Sequence, residues 1–188
     1  ARSRRPPLPV ITRLTLDAEA AWLRIDVRGE NTATDHRLRM MLGTGVSSAD
    51  IIADAAFGPV QRTPIEARDE DAAMERPPRT APLHRYVTRV AGGIGATVYS
   101  DGLAEYEARG DGTIAVTLVR AVGALSPTDL PERPGHAGWP TPTPDAQCLG
   151  PFAGSFAVLL HGDRDDATID LIERTADDVL LPLAGGSL

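Results

Sequence analysis

Few side chains in this sequence stand in spacings that could do chemistry, and each group implies a defined reaction type. His161-Gly162-Asp163 sets an imidazole and a carboxylate at the spacing of a two-ligand metal motif. Two ligands leave a zinc site at least one short, and the pair reads as a strand end running into an acidic turn. Asp35-His36-Arg37 sits where a turn enters a strand, so His36 reads as a packed or locally hydrogen-bonded group, as does His84. Ser47, Ser48, Ser100, Ser126 and Ser155 all lack a Gly-x-Ser-x-Gly context, so nucleophilic serine chemistry has no support. The run GGIGA at Gly92 to Ala96 leads into a strand pattern, whereas a phosphate cradle needs helix N-terminal amides at that point.

Paired carboxylates are a fuller possibility. In SDGLAEYE, with Asp101 just ahead, Glu105 and Glu107 share one sheet face at period two. Two carboxyls roughly 5 to 9 Å apart are what glycoside hydrolysis asks of its acid and its base or nucleophile. The other reading has both facing solvent against arginines of the next strand. The segment RPGHAGWPTPTPDAQCLG, Arg133 to Gly150, carries four prolines and cannot be a helix or a central strand. Its Arg133, His136, Trp139 and Gln147 make a set that could hold a sugar, the polar groups bonding hydroxyls and the indole covering an apolar ring face. The alternative is a strap across a sheet edge with Trp139 buried beneath it.

The elements that must position these groups alternate at period two. Strands are expected at Val10 to Leu16, from Trp22 to Arg28, at His36 to Leu42, Ala49 to Ala55, Leu83 to Val90, Ala96 to Ser100, Ala104 to Arg109, Thr113 to Val122 and Phe152 to His161. The turn GENTATD, Gly29 to Asp35, implies an antiparallel pair between the strands on either side of it. The turns SDG and GDG imply a meander. Glu66 to Thr80 reads as a surface loop or a short helix, and Asp165 or Asp166 as the cap of a helix from Ala167 to about Asp178. The fold class is therefore all-β and mainly antiparallel: a β-sandwich or supersandwich of two stacked sheets with long loops and one short C-terminal helix. Residues 1–9 read as a disordered or linker arm, and 10–188 as a single domain.

The chain has 188 residues and a net charge of -7, which argues against nucleic acid or an anionic membrane as partner. Cys148 is the only cysteine, excluding an internal disulfide framework and pointing to a reducing compartment. It reads as a small buried group where the loop returns to the sheet. There is no initiator methionine and no signal-peptide pattern, so the chain reads as a fragment, and its compartment as cytoplasmic.

Four stretches, in this order, resemble the C-terminal β domain of glycoside hydrolase family 38, the retaining α-mannosidases: DHRLRMML, SDGLAEYE, IAVTLVRAVGALSPTDLPERPGHAG and TPDAQCLG. The resemblance runs from about Val10 to Leu183 and is strongest to the bacterial branch with mannosylglycerate hydrolase-like enzymes. It implies a larger multidomain glycosidase whose zinc ligands and aspartate nucleophile lie in an N-terminal domain, followed by a helical bundle. No catalytic residue, metal ligand or cofactor is then expected in this chain, and the fragment is expected to be inactive alone. Its partners would be the parent's catalytic and helical domains and a mannose-containing glycan or mannoside. Arg133 lies where relatives carry an arginine reaching toward substrate, and Glu105 and Glu107 become partners for arginines such as Arg120. An independent carbohydrate-binding module and a purely structural interdomain scaffold are the rival readings.

Overall fold

Thirteen strands and one helix account for the regular structure of the computed structural model, which describes residues 8–181 apart from 49, 67, 69, 72, 73, 129, 131, 136 and 137. The strands are β1 (Val10–Thr15), β2 (Trp22–Asn31), β3 (Arg37–Gly43), β4 (Ile51–Ala53), β5 (Val60–Arg62), β6 (Ala81–Pro82) and β7 (Tyr86–Ala91). They continue with β8 (Ile94–Ser100), β9 (Glu105–Ala108), β10 (Thr113–Arg120), β11 (Ala124–Leu125), β12 (Thr141–Pro142) and β13 (Gly150–His161), and the helix is α1 (Asp166–Leu180). Every pairing is antiparallel. A seven-stranded sheet runs β1-β2-β13-β8-β7-β4-β5, a four-stranded sheet runs β3-β10-β9-β6, and β11 and β12 form a small ribbon. The fold is thus the all-β sandwich expected, closed by one C-terminal helix. Of the expected N-terminal arm only Leu8 and Pro9 are described, and the Pro9 carbonyl accepts from the Glu30 N–H at 3.4 Å.

The period-two pattern sorts side chains into two cores. Ile25, Val27, Val87, Val98 and Phe156 from the large sheet meet Leu42, Tyr106, Ile114 and Val116 from the small one. On the other face of the large sheet, Tyr86, Tyr99, Ala157 and Leu159 pack against Ile172 and Ala176 of α1. Asp165 caps the helix, its side chain accepting from the Thr168 N–H at 2.8 Å.

Two turn readings are corrected. The strands flanking Gly29 to Asp35 do not pair: β2 lies between β1 and β13, and β3 lies at an edge of the other sheet. Gly29 is a strand residue, kept small because a Cβ there would stand 2.6 Å from Phe152 Cζ and 2.5 Å from the Pro9 carbonyl. The chain changes sheets after Asn31, turning through Asp35 at φ 51°. Likewise the SDG turn carries the chain from β8 in one sheet to β9 in the other, and only GDG closes a hairpin, so the meander is limited to β9-β10.

Two polar ties hold the layers. Arg89 projects between the sheets and is 1% exposed, its guanidinium donating to the carbonyls of Ser48 at 2.5 Å and Arg109 at 2.6 Å. Burial lowers its pKa, yet a guanidinium stays charged in proteins, and the carbonyl dipoles take the place of water around it. The second tie docks α1. The buried Asp54 carboxylate accepts from Arg85 Nε at 2.7 Å and lies 3.0 Å from His84 Nδ1, while Arg85 also reaches Glu173 at 2.7 Å. The Tyr86 hydroxyl donates to the same Glu173 at 2.5 Å, and burial followed by that carboxylate pushes its pKa up, so it remains a donor. Burial pushes the Asp54 carboxyl up as well, but the hydrogen bonds and charge of Arg85, supported by His84, outweigh it and bring the pKa below the ordinary value.

Two outcomes are expected. Arg89→Leu leaves carbonyls unpaired and should lower stability by about 3 kcal/mol in urea unfolding, whereas Arg13→Leu on β1 should stay within about 0.5 kcal/mol. Because Asp54 holds its proton less tightly folded than unfolded, its contribution is present above the unfolded pKa and lost as pH falls through the folded one. Stability should therefore decline below roughly pH 4, and Asp54→Asn should flatten that decline in a series of urea midpoints against pH. An unchanged acid limb in the variant would assign the effect to other carboxylates.

Candidate functional site

Glu105 and Glu107 project from β9 on the outer face of the small sheet, as the period-two spacing requires. Both are taken up by arginines. Glu105 meets Arg37 at 3.1 Å and Arg120 at 3.2 Å and accepts from Thr117 Oγ1 at 2.7 Å, and Glu107 pairs with Arg39. The pairing with Arg120 expected from the sequence is present at Glu105. Asp101 stands apart at the crossover between sheets, where its N–H donates to the Ser155 carbonyl at 3.1 Å.

This charged face floors a cleft of about 670 Å³ whose lining includes Arg37, Arg76, Arg79, Glu107, Arg120 and Glu132. Its wall forms where two long loops meet, the Arg76 N–H donating to the Glu132 carbonyl at 2.7 Å. A neighbouring hollow of about 630 Å³ shares Arg79 and Glu107. Sequence reading gave Arg76, Arg79 and Glu132 no part in a site. The sole available signal was the proline-flanked ERPPRT, which reads equally as a solvated loop.

The long excursion from Ser126 to Pro140 leaves and re-enters the fold through one polar knot. The short ribbon of β11 and β12 closes its neck, with the Thr143 N–H donating to the Gly123 carbonyl at 2.9 Å. Gln147 donates through Nε2 to Asp35 Oδ1 at 2.9 Å and accepts the Asp35 N–H at 2.8 Å, while the Gly123 N–H donates to that same carboxylate oxygen at 2.9 Å. The Gln147 amide is the chief cause holding the Asp35 carboxyl below its usual range. A Cβ at Gly123 would lie 2.4 Å from Gln147 Nε2, so the knot closes only around glycine. Asn31 completes it, donating to the carbonyls of Gln147 at 3.0 Å and Cys148 at 2.9 Å.

The expected sugar-holding set is thereby divided. Gln147 is buried, and both ends of its amide are engaged inside the chain, which makes it a fastener of the loop. Trp139 is 90% exposed and buries nothing beneath it, so the strap with a covered indole is not formed. Arg133 is half-buried, and its Nε and Nη2 are enclosed with no hydrogen-bond partner among the described residues. His136 lies outside the described residues. Cys148, expected to be buried, is exposed: it ends the 3-10 turn Pro144–Gln147 in a left-handed conformation at φ 50° that turns its side chain outward.

The remaining histidines are internal groups. His161 accepts or donates at both nitrogens, to Thr97 Oγ1 at 2.9 Å and the Gly162 carbonyl at 2.8 Å, and His36 is packed with neither nitrogen bonded among the described residues. Among the described residues no cluster of three or more His, Cys, Asp or Glu could hold a metal ion, so these residues do not fit a zinc site. No helix is long and apolar enough to cross a membrane.

No protein-family model matches the chain. It is 34% identical over 166 residues to a protein of Halalkalibacterium halodurans named "Putative mannosylglycerate hydrolase", a match covering 88% of this chain and 17% of that protein. Among solved structures, an α-mannosidase from Enterococcus faecalis V583 superposes with a TM-score of 0.73 at 28% identity over 93% of this chain and 18% of its own. A protein in the glycosyl hydrolase family 38 from Enterococcus faecalis gives 0.70 at 26% identity, again over 93% of this chain and 18% of its own. The resemblance to family 38 read from the sequence is present in both comparisons, and the chain spans less than a fifth of the relatives it matches.

The knot makes a prediction. Gln147→Ala removes two hydrogen bonds from a buried position and should cost about 2 kcal/mol in urea unfolding. It should also speed amide exchange between residues 122 and 147, whereas Trp139→Ala should leave the unfolding midpoint unchanged.

Proposed function

We propose that this chain is the C-terminal β-sandwich domain of a family 38-like retaining α-mannosidase, and that it shapes the rim of a sugar site whose catalytic groups belong to another domain. The observation that carries the reading is Arg133. Guanidinium donors enclosed without a partner among the described residues are costly, and a substrate hydroxyl or a group of the adjoining domain would satisfy them. The similarity to a short portion of much larger enzymes supports the same division of labour. Glu105 and Glu107 are committed to arginines and are not the acid and nucleophile of the reaction. In the parent, zinc and an aspartate nucleophile in the N-terminal domain would supply the chemistry. This chain's part is to orient substrate through Arg133 and to cover an apolar sugar face with Trp139.

A second reading is favoured by the exposure of Trp139: an independent carbohydrate-binding module, with the exposed indole as its platform. Titration calorimetry with mannose-containing glycans separates the two, since only the module gives heat with the isolated chain that Trp139→Ala removes.

The leading reading is tested with an aryl α-mannoside in the presence of zinc. The longer polypeptide carrying this domain should hydrolyse it, Arg133→Ala there should lower kcat/KM by about tenfold to a hundredfold, and the present chain should show no turnover. Turnover by this chain that Glu105→Gln or Glu107→Gln abolishes would overturn the proposal.

A further inference from the structure

One flank of the large sheet lacks the cover that the rest of the sandwich has. Neither the core between the sheets nor the core under α1 contains a residue of β1. β1 is paired in unbroken register with β2, from Val10 opposite Gly29 to Thr15 opposite Arg24. All but its last residue is exposed.

The register assigns its faces. Leu14 lies opposite Ile25, and Ile25 opposite Phe156, so Leu14 belongs to the face that forms the inter-sheet core. Val10 falls on that face too, and the two are 43% and 62% exposed. On the opposite face Ile11 is 58% exposed, at the edge of a largely apolar groove of about 520 Å³ lined with Pro9, Gly29, Pro151, Phe152 and Ala153.

The strand's free edge is also open. The Pro9 carbonyl bonds the Glu30 N–H, and antiparallel alternation then turns the N–H groups of Val10, Thr12 and Leu14 away from β2. Edge strands that face water are usually shortened, bulged or charged. This one carries a single charge, Arg13, and no bulge.

We propose that the β1 flank is the docking surface for the remainder of the parent polypeptide, which closes an apolar surface over Val10 and Leu14 on one side and Ile11 on the other. This rests on the reading above, that the chain is one domain of a larger enzyme. The occupant is argued from length: the relatives continue for more than four-fifths of their chains outside the matching stretch. It is argued also from shape, because both faces and the edge of β1 are open together, and a neighbour joined to this chain can wrap all three.

Hydrogen exchange read by mass spectrometry tests the surface, on this chain alone and on the longer polypeptide. Peptides covering residues 10–16 should exchange about tenfold more slowly, or slower still, in the longer form. Leu14→Glu with Ile11→Glu should leave the unfolding midpoint of the isolated chain unchanged but remove that extra protection in the longer one. Equal exchange in both forms overturns the proposal while leaving the family reading intact. So does protection in the isolated chain that grows with concentration alongside a doubled mass, which would make the occupant a second copy. A gene that encodes no domain besides this one removes the reading and the proposal together.

Discussion

A charge sealed between two sheets constrains this sandwich more than any apolar contact does. Hydrophobic side chains on the inner faces can slide by a pleat and still be buried, but the Arg89 guanidinium cannot. Its charge is tolerable there only where the carbonyls of Ser48 and Arg109 converge on it. That requirement places the β9-β10 hairpin and the approach to β4 against the middle of β7, and hence sets how the small sheet lies on the large one. Gly112, at φ 86°, keeps the hairpin tight against Val46 beside it.

From that placement the rest of the layout follows. With the small sheet anchored toward β7 and β4, its outer face presents the arginine–carboxylate lattice and the cleft beside it, while the far side of the large sheet extends uncovered. The helix is fixed separately by the Asp54, Arg85 and Glu173 network, so the two faces of the large sheet are closed by independent polar devices. One domain therefore offers a polar hollow on one side and an apolar flank on another.

Long strands with one buried face were legible because their alternation is local: β2, β7, β8, β10 and β13 can each be read without knowing their partners. β5, β6, β11 and β12 were not, since two or three residues are too few to show an alternation of their own. Turn letters misled where a glycine served close approach instead of a bend, as at Gly29 under Phe152. That Glu105 and Glu107 share one face of β9 followed from spacing, whereas Arg133 was singled out through the resemblance to family 38 and not through any spacing. The role of Gln147 did not, because its partners Asp35 and Gly123 are near it only after the sheets have formed. The helix-docking network was illegible for the same reason, its members being scattered from Asp54 to Asp177.

The knot at Asp35, Gly123 and Gln147 has an evolutionary consequence. Both ends of the excursion from Ser126 to Pro140 are pinned by groups that lie outside it, so the closure of its neck does not depend on the residues between them. Doubling the length of a flexible loop costs only about 0.6 kcal/mol in closure entropy. Insertions, deletions and exchanges of residues between those pins are thus nearly neutral to folding. The loop can diversify as a replaceable cassette, while selection on the knot itself stays strict.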